Sequence, residues 1–100
     1  MSSDRIRALE KIYAQGETSE LVDLALEKLF QYELVESRKQ LTKLEGYLAD
    51  FENKYSLSSQ TFYTDFQSGK MGDDMDYIEW ASIYQMAERL KNRILILEES

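Results

Sequence analysis

Proline, cysteine and histidine are all missing from these 100 residues. Without proline, no position forbids a helix outright, so long uninterrupted helices are open to the chain. Without cysteine and histidine there are no disulfides, thiol nucleophiles, imidazole acid–base devices or zinc sites of the usual kind. A cysteine-free chain is compatible with a reducing compartment. Basic charge is also short: 12 Lys and Arg against 19 Asp and Glu leave a net charge of −7. Such a chain suits a basic protein surface better than a phosphate backbone, although acidity also serves plain solubility. No apolar run reaches the length of a membrane span, and Met1-Ser2-Ser3-Asp4-Arg5 lacks the apolar stretch of a signal peptide. The expectation is a soluble, cytoplasmic protein of one domain with a small core and no membrane association.

What is present is a repeated stepping of four and three. Phe30, Leu34, Ser37, Leu41, Leu44, Leu48, Phe51 and Tyr55 form one stripe, and Trp80, Ile83, Ala87, Leu90, Ile94 and Leu97 form another. This is the seam pattern of a coiled coil, written twice. The fold class it predicts is all-α: an antiparallel coiled-coil helical hairpin with a short N-terminal helix and a short helix in the turn.

The elements are set by the punctuation. Residues 1–19 form an N-terminal helical extension, with Ile6, Leu9, Ile12 and Tyr13 on one face, Gly16 as its stop, and Thr18 or Ser19 as cap of the next helix. Residues 20–100 form the hairpin: a long helix over 20–55, a turn over 56–73 and a final helix over 74–98. A helix of roughly 35 residues is on the order of 50 Å long, and so long a helix in a small chain points to a partner. In the turn, Thr61–Gln67 reads as a short helix stopped by Gly69. Asp73 reads as the cap of the final helix, with Asp76 completing a capping-box-like arrangement.

The long helix has two characters. Downstream its apolar stripe is narrow. Upstream, from Leu21 to Phe30, it is apolar around much of its circumference, and such a helix must be covered from several sides. A final helix folded back from Tyr55 reaches only to about Tyr32, leaving Leu21, Leu24, Leu26, Leu29 and Phe30 short of cover. A second copy of the chain is the economical solution, so self-association as a homodimer or higher is expected.

Candidate chemistry is thin. Asp73, Asp74, Asp76 and Glu79 are the most site-like cluster, open to three readings: helix capping, an acidic edge facing a partner, or a hard-metal site. Their spacing is not that of an EF-hand loop, and no metal or other cofactor is expected. Serines lack a histidine base, and a small hairpin offers little cleft for paired carboxylates, so no enzyme is expected. Gly69 and Gly72 do not make a phosphate loop. Small basic groups at Arg5, Arg7 and Lys11, and at Arg38, Lys39 and Lys43, have no helix-turn-helix context, and direct nucleic-acid binding is not expected. The aromatics Phe62, Tyr63, Phe66, Tyr77, Trp80 and Tyr84 fit either a binding hot spot or a mini-core that plugs the hairpin's end, and the mini-core is favoured.

Residues 21–98 also resemble a family. The run Leu21-Val22-Asp23-Leu24-Ala25-Leu26-Glu27-Lys28-Leu29, then Phe51-Glu52-Asn53-Lys54-Tyr55, Ser58-Ser59-Gln60-Thr61-Phe62-Tyr63 and above all Phe66-Gln67-Ser68-Gly69-Lys70-Met71-Gly72-Asp73-Asp74-Met75-Asp76-Tyr77-Ile78-Glu79-Trp80 are similar to small prokaryotic antitoxin-like helical proteins. Tyr84, Leu90 and Leu97 are in keeping with that pattern. The resemblance implies a type II antitoxin that neutralises a TumE-like toxin by direct binding. The chain departs from many antitoxins in having no recognisable DNA-binding module. The function expected is therefore a non-enzymatic protein-binding module acting on a basic toxin. The alternatives are a structural or scaffolding coiled-coil dimer and a nucleic-acid- or metal-dependent activity built on the aspartates. Leu21, Leu24, Leu26, Leu29 and Phe30, with Asp73, Asp74, Asp76 and Glu79, are the expected partner-binding residues. Leu34, Leu41, Leu44, Leu48, Phe51, Trp80, Ile83, Leu90, Ile94 and Leu97 are the expected structural seam.

Overall fold

A computed structural model of the chain describes residues 2–16 and 19–99. They form four helices, α1 (Ser2–Ala14), α2 (Glu20–Tyr55), α3 (Ser59–Gln67) and α4 (Met75–Glu99), and no strand occurs among the described residues. The protein is all-α. It divides into two compact units, one up to Tyr32 and one from Glu33 onward, the boundary falling inside α2.

In the first unit α1 ends where Gly16 takes φ +75° and its N–H bonds the Tyr13 carbonyl at 3.0 Å. Ser19 caps α2: its Oγ accepts from the Val22 N–H at 3.1 Å. Thr18, the other candidate cap, lies outside the described residues. Leu9 and Tyr13 of α1 are half-buried, as are Val22 and Leu26 of α2, and the Tyr13 hydroxyl donates to Asp23. That hydrogen bond raises the Tyr13 pKa.

The second unit is built around a cluster of Leu48, Phe62, Trp80, Ala81 and Ala87, with half-buried Leu41, Leu44, Phe51, Tyr55 and Ile83 packed against it. Near the turn, late residues of α2 meet early residues of α4, and farther along, earlier residues of α2 meet later residues of α4. Phe51 stacks on Trp80 with centroids 5.4 Å apart, and Lys54 Nζ donates to Asp76 at 2.7 Å near the turn. Arg93 donates to Glu33, and Arg38 to Glu98 at 2.8 Å, farther along. Along the two seams Ser37, Leu48, Trp80, Ala87 and Ile94 are buried, and Leu34, Leu41, Leu44, Phe51, Tyr55, Ile83, Leu90 and Leu97 are half-buried. Phe30, the first seam position, is exposed.

Helix ends in the turn are closed by side chains and by left-handed residues. After α2, Ser56 adopts φ +51° and the Leu57 N–H returns to the Glu52 carbonyl. A residue with a Cβ at that left-handed position is strained relative to glycine. α3 starts two residues earlier than the sequence predicts, because Ser58 is its cap and accepts from the Thr61 N–H at 3.2 Å. It stops at Gly69 (φ +82°), whose N–H bonds Phe66 while that of Lys70 bonds Asp65, a Schellman pair. The final helix begins at Met75, and its cap is Asp74, not Asp73: Asp74 Oδ1 accepts from the Asp76 N–H at 2.9 Å. Asp76 does not complete a capping box. Its carboxylate turns to α2, where Tyr55 and Lys54 donate to it.

Candidate binding surface

The first stretch of α2 leaves a run of large apolar side chains uncovered, and Ile6 and Ile12 of α1 are exposed in the same unit. Leu21 is 76% exposed, Leu29 52% and Leu24 48%, and Phe30 is exposed too. Helical geometry at about 100° per residue spreads these four over more than half the circumference. Leu26, predicted with them, is half-buried, as is Val22. The acids around this stretch are Glu20, Asp23 and Glu27, against one base, Lys28, so the apolar row sits in a net-negative field.

The acids at the start of α4 do not share one role. Asp73, Asp74 and Glu79 are exposed, while Asp76 is half-buried. Asp74 spends one oxygen on its cap, and Asp76 is engaged by Tyr55 and Lys54. The hydrogen bonds from Lys54 and then Tyr55 hold the Asp76 carboxyl below its ordinary value. The same contact raises Lys54 and Tyr55, Asp76 being the first cause in each. Among the described residues no three carboxylates converge as a metal would need.

The aromatics form a closed plug. Trp80 and Phe62 are fully buried and stack at 3.8 Å with their planes 3° apart. Phe51 and Tyr55 lie against Trp80, Tyr77 against Tyr55 and Phe62, and Tyr63 against Tyr84. Trp80 Nε1 donates to Ser59 Oγ at 2.9 Å, both groups buried. A buried indole N–H without that partner would carry a desolvation cost. Sequence reasoning missed this bond. Ser59 is one of several serines in a stretch rich in capping residues, and nothing in its neighbours marks it as buried.

A further apolar face lies outside the two predicted seams. Tyr47 and Met86 are 45% and 47% exposed beside the half-buried seam residues Leu44, Phe51, Ile83 and Leu90. Each sits next to a seam position, so the apolar face is broader than the two-residue-per-heptad stripe. No helix of the described residues is long and apolar enough to cross a membrane. No family model, curated protein or solved structure matches the chain.

Proposed function

We propose that this chain is a non-enzymatic protein-binding module, an antiparallel helical hairpin whose upstream α2 segment is covered by a basic partner. On the resemblance of residues 21–98 to antitoxin-like proteins, the partner is a TumE-like toxin neutralised by direct contact. The observation that carries the binding reading is the exposure of Leu21, Leu24, Leu29 and Phe30 on one helix. Burying a leucine of that kind contributes about 1.5–3 kcal/mol, so leaving four large side chains in water is costly without a partner. The surrounding excess of Glu and Asp supports a partner of opposite charge, since complementary fields raise association rates and select partners.

The test is co-expression with the product of the adjacent gene. Rescue of growth supports the antitoxin reading, and Leu24→Asp with Phe30→Asp should abolish the rescue while leaving the melting of the second unit unchanged. A harmless neighbour, or rescue that survives both substitutions, would refute it. The competing reading is a scaffolding coiled-coil dimer without a toxin. It predicts association of the chain with itself and no effect on a neighbour's toxicity.

A further inference from the structure

One face of the second unit is covered near the turn by α3. The opposite face bears an open groove between α2 and α4, made of two adjoining cavities of about 600 and 440 Å³ that share Leu44, Tyr47 and Met86. Phe51 and Ile83 continue it toward the turn, and Leu90 continues it away. Its rims are charged in opposite senses at its two ends. Asp50 and Glu79 stand at the turn end, where Lys54 is already taken by Asp76, and Lys43 and Arg89 stand at the far end. None of these four joins an ion pair among the described residues.

We infer that a second copy of this chain seats on this groove, related by a two-fold axis that crosses it at the level of residue 47 of α2 and residue 84 of α4. Such an axis lays α2 on the partner's α2 and α4 on the partner's α4, with the groove direction reversed. Lys43 then comes over Asp50 of the other copy, and Arg89 over Glu79. The positions agree independently on both helices. Midway between Lys43 and Asp50 lies the Gly46–Tyr47 peptide, and midway between Glu79 and Arg89 lies Tyr84. The register fixed by Phe51 on Trp80 and Lys54 on Asp76 places those two midpoints opposite each other. A self-complementary patch of this sort is what a closed dimer requires, because each contact occurs twice. Exposed Tyr47 and Met86 fall beside the axis, where burial is deepest and anchors are worth most. The result is a four-helix arrangement with α3 on its outer faces. It does not depend on the toxin reading.

Sedimentation velocity of the full chain at micromolar concentration tests this, with circular dichroism checking that each variant stays helical. The chain should sediment as a dimer, and Tyr47→Glu with Met86→Glu should weaken association at least about tenfold. An all-acidic rim, Lys43→Glu with Arg89→Glu, and an all-basic rim, Asp50→Lys with Glu79→Lys, should each abolish self-association. Mixed together, the two should form a heterodimer. A monomeric wild-type chain would overturn the inference. So would either rim variant dimerising alone, a mixture that fails to associate, or a dimer that ignores Tyr47 and Met86 but is lost in Leu24→Asp.

Discussion

The two ends of α2 use the same vocabulary of leucine and aromatic residues to opposite effect. At the downstream end Leu48, Phe51 and Tyr55 are covered by Trp80, Phe62 and Tyr77, and the polar groups that enter the core are paired. At the upstream end Leu21, Leu24, Leu29 and Phe30 stay in water, with only Val22 and Leu26 half-covered. The difference lies in what the rest of the chain supplies. A turn helix and the start of α4 bring six aromatic rings to one end, whereas the first unit offers the other end a helix of 13 residues carrying Leu9 and Tyr13. Folding buries the aromatic side chains at one end and leaves large leucines in water at the other.

Substitutions should sort along that contrast. The largest effect belongs to Trp80→Ala, which removes the ring stacked by Phe62 and Phe51. A loss of about 3–5 kcal/mol is expected from urea unfolding. A variant that melts like the parent would mean the plug is not closed. Ser59→Ala comes next. It keeps the packing but orphans the buried indole N–H, for about 1–3 kcal/mol, and Ser59→Thr should retain most of the bond if the methyl is accommodated.

The Asp76 contact adds a pH signature to the closed end. Folding lowers the carboxyl's pKa through Lys54 and Tyr55, so its contribution is present above the ordinary carboxylate value of 3.8 and is lost as pH falls through the lower folded value. Asp76→Asn should flatten the acid limb of a stability-against-pH curve, and an unchanged limb would remove Asp76 from the account. Ser56→Gly relieves the left-handed residue after α2 and should stabilise by about 0.5 kcal/mol, the gain being partly offset by the freer unfolded chain. The smallest effect on folding belongs to the open end. Leu21→Ser should change the melting by no more than about 0.5 kcal/mol, as expected of a side chain that folding leaves exposed.

How far the sequence speaks also differs between the ends. Helix bounds for α2 are legible from Ser19 and from the break after Tyr55, and both seams from spacing alone, because a helix buries residues by period. The plug is readable as aromatics near a glycine-marked turn. Its internal order is not: which serine meets the indole depends on how α3 lies against α4, a tertiary fact. The choice between Asp73 and Asp74 as cap turns on one residue of loop geometry between Gly72 and Met75, below the resolution of a pattern. Local spacing assigns Asp76 to capping, yet α2 holds it, a contact 21 residues away with no local signal. The broad face at Tyr47 and Met86 is not legible from the seam, because a pattern of two positions per heptad leaves out the third. The uncovered upstream stretch is legible, since leucines on several sides of one helix cannot all face the same neighbour.

Hydrogen exchange of the isolated chain, resolved along α2, tests the central contrast most directly. The account predicts that amides of residues 21–30 exchange far faster than those of residues 48–55, because few buried contacts oppose opening there. Equal protection along the whole helix would contradict it, since the upstream leucines would then be as well covered as the plug.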